Sequence, residues 1–106
     1  MPDEWIKVCD EKALANGELL DFDHYEKKIL LARVGGKVFA TDRICTHAYA
    51  DLSSGILNQE EKTITCPLHL SIFKLDTGVP QNMPAEVPLK TYKVKIQENS
   101  IYIQLG

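Results

Sequence analysis

At 106 residues the chain has room for one compact domain with its own core and not for two. Its 44% hydrophobic and 25% charged composition excludes the disordered and fibrous classes, and a formal net charge of -3 removes the concentrated positive charge that nucleic-acid or anionic-membrane binding needs. The opening Met1-Pro2-Asp3-Glu4 is acidic and unlike a secretory signal, and the longest apolar run, residues 29–32, falls far short of a bilayer crossing, so a cytoplasmic location is expected.

Trp5-Ile6-Lys7-Val8-Cys9 is partly alternating and rich in large side chains, which predicts a first strand. Asp10 offers a cap to the residues after it, but Asn16-Gly17 holds any helix there to about one turn. Residues 18–22 predict a second strand, and residues 21–25 a polar turn. His24 in that turn stands apart from any cysteine or carboxylate motif and is expected to be solvated rather than a ligand. Residues 28–34 and 37–41 flank Gly35-Gly36, and this pattern predicts a two-residue hairpin. The second arm runs straight toward Cys45, which is therefore expected on a loop leaving a sheet.

Residues 52–55 are turn-like, Ile56-Leu57 is a short apolar segment, and residues 58–61 form a polar turn. Thr63-Ile64-Thr65 then delivers Cys66 much as the earlier arm delivers Cys45. Residues 72–75 predict a brief strand ended by Asp76-Thr77-Gly78. Three of the five prolines, Pro80, Pro84 and Pro88, make residues 78–88 a stiff irregular loop able to cover a site. Residues 91–96 and 101–105 alternate on either side of a Glu98-Asn99-Ser100 turn, as the arms of a hairpin do. The whole predicts an all-β fold, a small antiparallel barrel or sandwich.

Of the three cysteines and three histidines, two of each fall in Cys45-Thr46-His47 and Cys66-Pro67-Leu68-His69. An odd cysteine count with this spacing favours metal binding over a disulfide framework. Two thiolates and two imidazoles can hold a tetrahedral zinc ion, or a [2Fe-2S] cluster with the cysteines on one iron and the histidines on the other. Zinc fingers of the two-cysteine, two-histidine kind group the cysteines in one motif and the histidines in another. Here each motif mixes one of each, so each loop can reach both irons. A structural zinc-binding interaction module stands as the alternative. No nucleophile elbow, phosphate-binding glycine loop or nucleotide fingerprint is present, so no enzyme is expected, and Glu60-Glu61 reads as a solvated turn. Cys9, in an apolar strand, is expected to be a buried structural thiol.

Cys45-Thr46-His47, eighteen intervening residues, Cys66-Pro67-Leu68-His69, and then Phe73, Thr77-Gly78 and the proline-containing loop resemble the Rieske [2Fe-2S] ferredoxins, in particular those serving bacterial aromatic-ring oxygenases. The resemblance covers the chain. It implies a single Rieske domain over residues 1–106, an antiparallel barrel or sandwich with a two-loop cluster-binding subdomain at about residues 42–84. It places Cys45 and Cys66 on an inner iron and His47 and His69 on an outer iron, through whose side electrons leave, with Ser71 as a hydrogen-bond donor to the cluster. The implied function is a soluble, monomeric one-electron carrier between a flavin-containing reductase and a terminal oxygenase. The second reading keeps the cluster but makes the chain a small subunit of a larger reductase.

Departures from the family refine these expectations. High-potential relatives carry an additional, disulfide-bonded cysteine in each loop where this chain has Ala50 and Leu68, and a tyrosine where it has Phe73. Fewer hydrogen bonds to sulfur place the expected potential toward the low end of the Rieske range, roughly -150 to +300 mV. Where many relatives have glycine after each ligand histidine, this chain has Ala48-Tyr49 and Leu70, which suggests an apolar centre for a docking surface.

Overall fold

In the computed structural model the described residues are 4–46, 49–68, 70–83 and 85–105. Two antiparallel sheets organise them. The larger has six strands in the order β1-β9-β8-β4-β3-β2, with β1 at Trp5–Asp10, β2 at Leu19–His24, β3 at Lys27–Val34, β4 at Lys37–Asp42, β8 at Thr91–Gln97 and β9 at Ser100–Gln104. The smaller has three, β5 at Ile56–Asn58, β6 at Thr63–Thr65 and β7 at Ile72–Lys74. The all-β, barrel-like expectation is met, and the small sheet is inserted between β4 and β8. The only helical pieces among the described residues are two 3₁₀ turns, Glu11–Ala13 and Leu52–Ser54, and no helix there is long and apolar enough to cross a membrane.

The apolar run in β3 has a structural reason. Leu30, Ala32 and Val34 enter one core with Phe39, Leu52, Ile64, Phe73, Leu75 and Leu89, whereas Ile29 and Leu31 enter a second with Leu14, Val38, Ala40, Tyr92, Ile101 and Ile103. A strand buried on both faces shows no polar alternation. The first core joins the large sheet to the small one, and the second fills the barrel. Strands β4 and β8 meet at Ala40↔Tyr92 and Thr41↔Thr91. The Tyr92 hydroxyl donates to Asp42 Oδ1 at 2.5 Å, and burial together with that carboxylate raises the phenol's pKa.

Three expectations need correction. Residues 21–24 are strand, not turn, because Asp21 and Asp23 face outward while Phe22 and His24 are half-buried, a period-two pattern paired to β3 through His24↔Lys27. His24 is correspondingly half-buried rather than solvated, its ring stacked 6.1 Å from Phe22 and edge-on to Tyr25 at 4.7 Å. Cys9 is also only half-buried, packed against the barrel core. Burial and the neighbouring Asp10 raise its thiol pKa against the lowering effect of Lys7.

Candidate metal centre

The strand end at Asp42 and the strand end at Thr65 each release a short loop beginning with a cysteine. The loops are built alike. Cys45 N–H donates to Ala50 O at 2.8 Å, and Cys66 N–H donates to Ser71 O at 2.8 Å, so each is closed between a cysteine and the residue five positions on. The residue before each closure is left-handed, Tyr49 and Leu70 both at φ 56. Glycine meets that backbone without cost, whereas a side chain there costs roughly 1–2 kcal/mol. Steric preference alone would not select a tyrosine and a leucine at these corners, and strain of this kind concentrates at functional sites.

Both closures turn the cysteines inward. Cys45 and Cys66 are each 0% exposed, belong to the core under the small sheet and form no disulfide. The Cys66 thiol is a close neighbour of Cys45. Burial raises its pKa, an effect the Leu68 backbone N–H opposes and Cys45 reinforces. Two thiols brought together in a dry core are a soft metal-binding pair. Beside them Ser71 is fully buried, and its hydroxyl has no hydrogen-bond partner among the described residues, the environment of a donor awaiting an acceptor. The donor set therefore fits a sulfur-rich cofactor. His47 and His69 lie outside the described residues, and among those described no group of three or more metal-binding side chains gathers.

The proline-containing segment braces both loops. Thr46 Oγ1 donates to Val87 O at 2.7 Å, holding the first loop. Asn82 holds the second, accepting from Ile72 N–H at 2.8 Å and donating to Leu70 O at 3.1 Å. At its neck Leu89 N–H donates to Gly78 O at 2.9 Å, and Pro80 bridges to Phe73. Tyr49 at 80%, Leu70 at 59% and Met83 at 72% exposure, with Leu68 and Val87, leave these three segments with an apolar outer surface.

Sequence reasoning overlooked Arg43. It is 5% exposed, with Nη2 2.7 Å from Asp23 Oδ1 and Nε 3.3 Å from Asp51 Oδ2. Asp51 also accepts from Ser53 N–H and Oγ at 2.9 and 2.6 Å. Burial pushes the Asp51 carboxyl up, but the Ser53 hydrogen bonds and the charges of Arg43 and Lys28 outweigh it and hold the group below the usual range. No local signal marks an arginine for burial, since both its partners come from elsewhere in the chain.

The sequence profile of the Rieske [2Fe-2S] domain matches residues 4–93. The chain is 39% identical over 99 residues to the biphenyl 2,3-dioxygenase ferredoxin component of Rhodococcus jostii, covering 93% of this chain and 91% of that one. It is 35% identical over 106 residues to the naphthalene 1,2-dioxygenase system ferredoxin component of Pseudomonas aeruginosa, covering all of both. The ferredoxin of carbazole 1,9a-dioxygenase from Nocardioides aromaticivorans superposes with a TM-score of 0.91 at 29% identity, over 96% of this chain and 98% of that one. A chain from a complex of reduced oxygenase and oxidized ferredoxin in carbazole 1,9a-dioxygenase superposes with a TM-score of 0.89 at 32% identity, over 96% of this chain and 94% of that one.

Proposed function

The chain belongs to the Rieske [2Fe-2S] domain family, and from that membership we propose a soluble cytoplasmic carrier that passes single electrons from a flavin-containing reductase to a terminal oxygenase, the chain acting as one domain with its cluster region at about residues 42–84. The observation that carries the reading is the pair of fully buried cysteines on two similarly closed loops. Cys45 and Cys66 hold one iron in this reading, and His47 and His69 the other. The cluster, when bound, supplies a one-electron couple.

The remaining residues bind, shield and present it. Ser71 Oγ is the hydrogen-bond donor from the protein interior. Phe73, fully buried and without a hydroxyl, offers none, which keeps the potential toward the low end of the Rieske range. Leu52, Ile64 and Phe73 exclude water from the cysteine side. Tyr49, Leu68, Leu70, Met83 and Val87 give a partner an apolar surface to dock on, and the carrier itself is a monomer between encounters.

Protein purified aerobically is expected to be reddish-brown with equimolar iron and acid-labile sulfide. A colourless protein with one zinc would favour the interaction module instead. Cys9→Ser should keep the visible spectrum and His69→Ala should lose it; an unchanged spectrum in the second variant would overturn the ligand assignment. Reduction by candidate NAD(P)H reductases, followed by transfer to oxygenases of the same organism, tests direction. Failure to re-oxidise in the presence of every oxygenase would count against the carrier role.

A further inference from the structure

We propose that Arg43 is a positioning residue for electron transfer: clamped between Asp23 and Asp51, it fixes the neck of the first cysteine loop to the barrel and, through the net charge of that triad, sets the reduction potential of the cluster the loop holds. The inference rests on the cluster reading above and concerns residues outside the ligand set.

Arginine is among the residues least often buried, and when buried it is paired. Arg43 stands two positions before Cys45 and is held by its backbone as well as its side chain. Its N–H donates to Lys28 O at 3.0 Å, and its carbonyl accepts from Leu52 N–H at 2.8 Å. Just beyond, Ile44 bridges Asp51 and Cys45 bonds Ala50, so the loop's outgoing and returning limbs are zipped together from Arg43 onward. The guanidinium adds what the backbone lacks, a tie from this neck to Asp23 on β2. One side chain thereby joins the barrel wall, the start of the loop and its return.

The energetics favour a role for the charge itself. Only the guanidinium is buried, at 6% side-chain exposure against 60% for Asp23 and 43% for Asp51, and taking one charge of a pair out of water costs desolvation that the attraction offsets. Arg43 meets that cost incompletely, with Nε and Nη1 both buried and without a hydrogen-bond partner among the described residues, so that Nε faces Asp51 as an ion pair only. Packing alone would be served as well by a methionine or leucine. One guanidinium against two carboxylates leaves these three groups with one net negative charge, and Lys28, whose charge also reaches Asp51, is the same in every variant below. Reduction adds an electron to the cluster, so a nearby net negative charge disfavours it.

The test is the midpoint potential of the holoprotein, read by protein-film voltammetry, for Arg43→Gln, Asp51→Asn and the double variant. Asparagine at 51 keeps an oxygen for Ser53 while removing the charge. Arg43→Gln should disfavour reduction by about tenfold, Asp51→Asn should favour it by a similar factor, and the double variant should return close to wild type. A tenfold change corresponds to about 59 mV for a one-electron couple. A clamp that acted only through structure would move both single variants in one direction, with the double variant furthest from wild type. That pattern, or no shift in either single variant, would overturn the proposal. If Arg43→Gln does not fold, Asp23→Asn and Asp51→Asn decide it, since each must raise the potential. The wild-type absorption spectrum is read first. Without Rieske bands the cluster reading fails and this proposal with it; with them, the variants test the triad alone.

Discussion

Gly78→Ala is expected to be among the most damaging small substitutions in this fold, and its cost can be worked from two separate contributions. Gly78 has φ 77, so any side chain brings a left-handed penalty of about 1–2 kcal/mol. A Cβ built there would also lie 2.0 Å from Leu89 O and 2.9 Å from Leu89 C, closer than atoms can stand. The obstacle is backbone at a buried residue, so the neck of the proline-containing segment must open. Opening breaks the Leu89 N–H bond to Gly78 O and strands a buried donor, a further loss of about 1–3 kcal/mol. The expected total is about 2–5 kcal/mol. Gly36→Ala isolates the first contribution, since Gly36 has φ 81 but nothing within 4 Å of its Cβ, and should cost about 1–2 kcal/mol. Guanidinium denaturation of both holoproteins, followed by far-UV circular dichroism, measures the difference. Equal destabilisation of the two variants would refute the steric argument.

Two other expectations follow from named contacts. Tyr92→Phe removes the hydroxyl that bonds Asp42 at 2.5 Å where β4 meets β8, and should cost about 1.5–3 kcal/mol in the same denaturation assay; a loss under half a kcal/mol would mean that water replaces the bond at no cost. The folded-state pKa of Asp51 lies below its unfolded value near 3.8, so its contribution to stability is present above that value and is lost as pH falls through the lower folded one. Acid titration should therefore show a steeper loss below about pH 4 in wild type than in Asp51→Asn, and parallel curves would remove Asp51 from the account.

Much of this was legible in the residues, for reasons that differ from element to element. The hairpin around Gly35-Gly36 announced itself because turn chemistry and strand pattern agree locally, and Lys27–Val34 and Lys37–Asp42 pair as expected. The cysteine loops were legible because metal-binding residue types at short spacing have few other uses. The end of β2 was misread because Asp-Phe-Asp-His carries the alternation of an edge strand in residues that also favour turns. The left-handed corners at Tyr49 and Leu70 are not marked by their own side chains, which do not favour such a backbone; the glycine that many relatives carry after each ligand histidine was the signal for them. Arg43 was hidden for a further reason: its burial depends on Asp23 and Asp51, which only the folded chain brings to it.

The sharing of β3 between two cores separates the barrel from the cysteine loops. The barrel interior, built from residues such as Leu14, Ile29, Leu31, Ile101 and Ile103, includes neither loop cysteine, and β2, β3 and β4 that wall it are consecutive hairpin partners. The opposite face of β3, carrying Leu30, Ala32 and Val34, is the floor on which the small sheet and its two cysteines rest. Damage that strips the cluster should leave a scaffold ready to be refilled.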